Sequence, residues 1–296
     1  MSGSFFIADD MKRLLFLLMS IVLSSCNVHA QSLYERDETT VRIATYNVGI
    51  FDKYKESGYR ATARMMKEMD PDVLVLNELD SCTFRTGKAF QMRRFLRRMG
   101  SRWKGLFAPA LRPFQTGAYG IAEVWNSEKR TPRNSFTLVL PQGEGAEPRA
   151  LVVIEYEDMV VAGTHLEHTK ESARRIQIEV ITDTLKALYG TAGKHVFLCG
   201  DMNAGPESST LELLRKDWTV LTPSKTTFPT KSRIADMTVM PDKAEDVPGS
   251  CIDYILLLNN GAEVEVVAAD VCVRFESGSA FTASDHFPVY ADIRLL

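Results

Sequence analysis

Six short stretches place carboxylates, amides or imidazoles at one end of an apolar run: Asn47 in RIATYNVG, Glu78 in DVLVLNELD, His165 in MVVAGTHLEH, Asp201 and Asn203 in HVFLCGDMNA, Asp253 in SCIDYILLL, and Asp285 with His286 in FTASDHFPVY. These side chains can move protons and hold hard cations. The clearest case is His195 to Pro206, where the buried-strand run Val196-Phe197-Leu198-Cys199 ends on Gly200-Asp201 and a Gly-Pro turn follows Asn203. Ligands of α/β proteins collect at such strand ends. Any one of these residues alone reads as a turn former or a helix cap. In this order and number, turn chemistry does not explain them.

The elements that must position them are legible from hydrophobic periodicity. Strand-like runs cover Val41–Asn47, Val73–Asn77, Gly120–Trp125, Leu151–Glu155, Val160–His165, Val196–Gly200, Ile252–Leu258, Val264–Val273 and Val289–Ile293. Helical patterns cover Tyr59–Met69, Ala89–Met99 and Ser172–Leu188. Helices alternate with strands in part of the chain and hairpins dominate elsewhere, which predicts mixed sheets covered by helices rather than a parallel barrel. There is no internal repeat, low-complexity segment or second-domain linker, so 41–296 reads as one domain.

The ordered set T-Y-N, L-N-E, T-H-L, G-D-M-N, I-D-Y-I and S-D-H-F-P resembles the endonuclease/exonuclease/phosphatase superfamily from about Val41 to Ile293. The resemblance implies a four-layer α/β sandwich, two mixed β-sheets packed face to face with helices outside. It also implies a Mg²⁺-dependent phosphoesterase, with Mn²⁺ able to substitute. Hydrolysing a phosphoester needs a cation to neutralise the phosphate, an activated water and donors for the developing charge. Carried over residue by residue, Glu78 is the expected principal metal ligand, with Asp285 and the amide oxygen of Asn47 close by. Asp201 is the expected water-orienting group, Asn203 a donor, His286 the phosphate-contacting histidine held by Asp253, and His165 a second phosphate contact.

The expected substrate is a phosphodiester, in nucleic acid or a lipid head group, ahead of a phosphomonoester of a sugar or inositol. A catalytically silent surface-binding module is the alternative of a different class. No protein partner is implied, and the chain is expected to be a monomer. Three departures from the family pattern bear on subfamily: Tyr119-Gly120-Ile121-Ala122-Glu123-Val124-Trp125 lacks the asparagine and serine of Y-G-N-A-I-L-S, T-H-L-D has become Thr164-His165-Leu166-Glu167, and L-Q-E has become Leu76-Asn77-Glu78. His168 reads as a loop residue, and Arg174 with Gln177 as structural support.

The chain has 296 residues, 45% hydrophobic and 25% charged, enough for a sizeable core without metal or disulfide staples. A formal net charge of −3 argues against a protein that coats nucleic acid generally, and leaves room for a local basic groove. The basic stretch QMRRFLRRMGSRWKG reads as a solvated helix face carrying Arg93, Arg94, Arg97 and Arg98, with Trp103 and Phe107 in packing roles.

Lys12-Arg13 before the apolar run Leu14 to Leu23 marks residues 1–30 as a secretory signal peptide with an upstream extension, followed by a linker over 31–40. Leu23-Ser24-Ser25-Cys26 resembles a bacterial lipobox that would anchor lipid on Cys26. Val28-His29-Ala30 offers an ordinary cleavage site instead. Either way the protein is expected to be exported, to the periplasm, the outer-membrane surface or the medium. Export permits a disulfide, and Cys251 and Cys272 flank an expected hairpin, with connectivity left open.

Overall fold

The computed structural model describes residues 34–54, 57–191, 193–231 and 241–296. The expected signal peptide, its cleavage sites and Cys26 lie outside them. The compact unit begins at Arg36. Residues 36–40, expected as linker, pack onto it: Arg36 pairs with Asp72 at 2.9 Å, Asp37 receives Arg294 at 2.8 Å, and Thr40 is buried.

In chain order the strands are β1 (Val41–Asn47), β2 (Val73–Ser81), β3 (Trp103–Phe114), β4 (Gly117–Asn126), β5 (Asn134–Leu140), β6 (Arg149–Glu155), β7 (Met159–His165), β8 (His195–Asp201), β9 (Trp218–Val220), β10 (Phe228–Pro229), β11 (Gly249–Ser250), β12 (Asp253–Leu258), β13 (Val264–Val271), β14 (Arg274–Phe275), β15 (Gly278–Ser279) and β16 (Val289–Leu295). They build two six-stranded mixed sheets, one ordered β13-β16-β1-β2-β4-β3 and the other β5-β6-β7-β8-β12-β9. β10 pairs with β11, and β14 with β15, as separate small ribbons.

Strand alternation explains the layering. In β7, Met159 and Val161 face Val41, Ile43, Val73 and Val75 of the first sheet, and Phe197 and Cys199 of β8 join the same inter-sheet core. Their neighbours Val160 and Ala162, with Val196 and Leu198, face outward onto Ile178, Ile181 and Leu185 of the helix Glu171–Tyr189. That helix carries Glu171 in its first turn and Lys186 in its last, matching its dipole. On the other side the helices Tyr59–Met69 and Gln91–Met99 bury Met65, Met66, Met69, Phe95 and Met99. Two sheets with helices outside form the expected four-layer α/β sandwich. Phe197 is fully buried in this core, and its truncation to alanine should cost about 3–5 kcal/mol.

Two parallel pairs organise the functional end. β1 and β2 run parallel through a helical crossover, with Asn47 opposite Asn77. β7 and β8 do the same, with His165 opposite Asp201. Asp253 opens the antiparallel β12 directly opposite Asp201 on the other flank. Asn77 Nδ2 donates to the Thr164 carbonyl at 2.8 Å and so ties the carboxyl ends of the two sheets together.

Gly200 permits the close approach of β7 and β8 just below the site. Its φ is +139°, and a Cβ there would lie 1.9 Å from the Thr164 carbonyl oxygen. The cysteines that export would have allowed to pair do not: Cys251 and Cys272 are both buried thiols rather than a disulfide.

Candidate active site

The two sheets each deliver one half of a polar cluster. From the first come Asn47 at the end of β1, Glu78 in β2, and Asp285 with His286 in the turn leading to β16. Ser284 Oγ anchors that turn by donating to the Asn47 carbonyl at 2.7 Å. Glu78 sits where the β2–β4 register shifts between Leu76 and Leu79, and its φ is +59°. A bulge re-aims one side chain without disturbing the strand on either side, and a left-handed non-glycine residue there marks stored strain. From the second sheet come His165, Asp201 and Asp253, with Asn203 in the following turn at φ +48°.

Asp201 is the hub. Its Oδ1 accepts from the Asn203 backbone N–H at 2.8 Å, and its Oδ2 accepts from Asn47 Nδ2 at 3.1 Å. His165 Nε2 and His286 Nε2 approach the same Oδ2 at 3.5 and 3.6 Å. His286 Nδ1 is bound to Asp253 Oδ2 at 2.9 Å, and the ring of Phe228 rests against it with centroids 4.8 Å apart.

The electrostatics separate the two histidines. Burial opposes the charged form of His286, but the carboxylates of Asp253 and Asp201 outweigh it and push its pKa up to about 9. Burial and the neighbouring Arg149 hold His165 well below the ordinary histidine value, so its ring is neutral. Burial, reinforced by repulsion from Asp253, pushes Asp201 up to about 7. One imidazolium and one neutral imidazole thus flank a carboxyl poised to take a proton.

Across from Asp201, Glu78 and Asp285 face each other through the ammonium of Lys53, which lies 3.0 Å from Asp285 Oδ2 and 3.8 Å from Glu78 Oε2. A cation already satisfies this carboxylate pair, so its donors suit a hard ion such as Mg²⁺. Asn47 is oriented differently from the expectation. Its amide nitrogen donates to Glu78 at 3.1 Å and to Asp201, while its oxygen accepts the Gly49 N–H at 3.1 Å. In this orientation the amide fixes the two carboxylates, and the oxygen expected to face a cation is engaged by backbone. Asp201, Asp253 and His286 also lie close enough to hold a metal, with ligand atoms within 4.8 Å of one another. Asp253 already holds His286 Nδ1, so an ion here would have to use His286 Nε2 and Asp201 Oδ2, the two atoms this arrangement leaves facing each other to handle a proton.

All eight residues expected from sequence lie at this end of the sandwich, and all but Asn47 and Asp253 line one cavity of about 290 Å³. Lys53, Tyr119, Glu147, Arg149, His168, Phe228 and Ile252 complete the wall. Lys53 and Arg149 had no sequence signal: one is a lysine in a polar loop, the other opens a strand behind a proline. His168, expected as a loop residue, is half-exposed and accepts from Arg149 Nη2 at 2.9 Å. Arg174 and Gln177 do brace this loop, bonding the Glu167 carbonyl and N–H at 3.0 and 2.9 Å. The arginine-rich helix lies apart, with Arg94, Arg97 and Arg98 lining a different concavity of about 300 Å³ beside Tyr59.

A site of this kind, with paired carboxylates for a cation opposite an Asp–His–Asp set at the strand ends of a two-sheet sandwich, defines a metal-dependent phosphoester hydrolase. Residues 44–286 match the model of the Endonuclease/Exonuclease/phosphatase family, and the chain belongs to that family. Among solved structures, an endonuclease/exonuclease/phosphatase from Bacteroides vulgatus is similar at 20% identity and TM-score 0.65, over 87% of this chain and 99% of that one. A mannosyl-6-phosphatase from Bacteroides thetaiotaomicron is similar at 16% identity and TM-score 0.61, over 86% and 99%. TDP2 from D. rerio, complexed with a single-strand DNA product, is similar at 14% identity and TM-score 0.61, over 87% and 99%. The sequence matches no curated protein.

Proposed function

We propose that this chain is an exported, Mg²⁺-dependent hydrolase of a compact phosphoester, and that Asp201 activates the attacking water. The observation that carries this reading is the placement of Asp201 between His165 and His286, facing the Glu78–Asp285 pair. Asp201 accepts the proton of the water, and Asn203, whose backbone N–H steadies that carboxylate and whose Nδ2 donates to the Leu166 carbonyl at 2.9 Å, offers its second amide proton to the phosphoryl group. Imidazolium His286, held by Asp253, stabilises charge on the phosphoryl oxygens and is positioned to protonate the departing oxygen. Glu78 and Asp285 are the residues that would hold Mg²⁺, or Mn²⁺ in its place. Bound there, the ion neutralises the phosphate and polarises its oxygens.

The sequence placed a diester first, and the cavity moves the balance toward a monoester. His165, His168 and His286 bring three ring N–H groups to a space of about 290 Å³, with the charges of Lys53 and Arg149 behind them, more than the two free oxygens of a diester use. The similarity to a mannosyl-6-phosphatase supports a sugar-phosphate monoester. A nucleic-acid diester is the second reading, supported by the similarity to TDP2.

Purified protein assayed with p-nitrophenyl phosphate, bis-p-nitrophenyl phosphate, hexose phosphates and plasmid DNA, with Mg²⁺, Mn²⁺ or EDTA, tests both readings. EDTA-sensitive turnover of the monoesters supports the first, and preferential cleavage of the diesters supports the second. Inactivity on the whole panel would favour a silent binding module. Export is tested by intact mass of membrane and periplasmic fractions: a mature start at Cys26 with added lipid, or at Gln31, supports it, and a full-length cytosolic species refutes it.

A further inference from the structure

Arg149 is the least expected group at the site. It opens β6, only 3% of its side chain is exposed, and it reaches two histidines at once. Nη1 lies 3.3 Å from His165 Nδ1, and Nη2 lies 2.9 Å from His168 Nδ1. Glu147 Oε1 holds the guanidinium from one side at 3.1 Å, and Glu167 Oε2 lies 3.9 Å from its Nε, which makes no hydrogen bond.

A guanidinium has five N–H donors, no acceptor, and stays protonated in proteins. A neutral imidazole has one donor and one acceptor nitrogen. When an arginine contacts Nδ1, that nitrogen must be the acceptor, and the ring proton is then on Nε2. For His165 the Nε2–H so defined points at Asp201 Oδ2 and the cavity. For His168 a rival partner exists, since Glu167 Oε1 lies 3.5 Å from Nδ1 and could accept from an Nδ1–H. That oxygen already accepts from the Thr169 N–H at 2.8 Å and the Thr169 hydroxyl at 2.7 Å, and the arginine contact is the shorter one.

We propose that Arg149 is a positioning residue that fixes His165 and His168 as Nε2–H tautomers, giving the cavity a pair of ring N–H donors for the phosphoryl group opposite His286. The assignment rests on the reading of the cavity as a phosphoester site, while the tautomers themselves do not depend on it. Neutral donors bind phosphoryl oxygens without adding a proton source beside Asp201. The acid role is thereby left to His286 alone. The charge on Arg149, together with burial and the nearby His286, His168 and Lys53, keeps His165 from becoming a second imidazolium.

The test is a ¹⁵N long-range correlation spectrum of histidine-labelled full-length protein at neutral pH, with rings assigned by single His→Gln variants. Wild type should show His165 and His168 with a protonated Nε2 and a bare Nδ1. In Arg149→Met, which keeps bulk and loses every donor, both rings should lose that pattern, while Arg149→Lys should restore it in at least one. His195, whose Nε2 bonds the Glu263 carbonyl at 2.8 Å, should not change in any variant and serves as the internal reference. An Nδ1–H tautomer at His165 or His168 in wild type overturns the proposal, even if no Arg149 variant folds. So does an unchanged pattern in folded Arg149→Met. Tautomers as stated in a protein inactive on every phosphoester would remove the proposed function and leave the role of Arg149 standing.

Discussion

Lys53 and Asp285 form an ion pair of 3.0 Å where Glu78 and Asp285 face each other, and the same ammonium reaches toward Glu78. The chain carries its own competitor for the cation. Lys53→Met should therefore tighten Mg²⁺ binding by about tenfold at low salt, roughly 1.4 kcal/mol, since the ammonium is one-third exposed and only partly screened. Calorimetric titration of the folded variant checks this. Unchanged or weaker binding would show that the lysine does not share the metal's position.

Glu78→Gln keeps the size of the side chain and removes its charge. Mg²⁺ affinity should fall at least by the ~10–100-fold that loss of an outer-shell partner costs, with activity partly recovered at high Mg²⁺. Equal activity and an unaltered metal dependence would remove Glu78 from the metal site.

The Asp253–His286 hydrogen bond predicts strong non-additivity. His286→Ala should cost roughly 10²-fold or more in kcat, the range for a positioned proton donor, and Asp253→Asn somewhat less. The double variant should be little worse than His286→Ala alone, because residues acting as a unit do not add. Losses that simply multiply, in three variants folded by circular dichroism, would falsify the pairing.

The opposite charge requirements of Asp201 and His286 set a bell-shaped pH profile. The base works deprotonated, so activity should fall as pH drops through about 7, and the acid works protonated, so activity should fall again as pH rises through about 9. Both limbs belong to the interacting Asp201–His286 pair rather than to single residues. In Asp253→Asn the alkaline limb should move to lower pH, since a neighbouring carboxylate favours the imidazolium. An alkaline limb that stays in place would assign it elsewhere.

What the sequence concealed has a physical pattern. The strands of the two six-stranded sheets that periodicity missed, β3, β5 and β9, all lie at sheet edges. β3 contains Gly105, Pro109 and Pro113, which an edge tolerates and a central strand does not. β5 alternates between exposed and half-buried residues, so its apolar signal is weak. Central strands, buried on both faces, announced themselves and carried Asn47, Asp201 and His165 to their ends in plain view. Lys53 and Arg149 were invisible because their roles depend on partners far along the chain, 232 residues away for Asp285 and 19 for His168. The bulge that turns Glu78 into the site was equally hidden, since no glycine marks it.

The division of the site between the sheets makes the seam between them a checkpoint in folding. His286 hangs from the first sheet and Asp253 from the second, and their bond closes only after docking. A chain that has formed both sheets but not joined them would give the far-ultraviolet signal of the native protein with no working acid. During refolding, recovery of turnover should lag behind recovery of secondary structure, and catalysis becomes a clock for the last step of assembly.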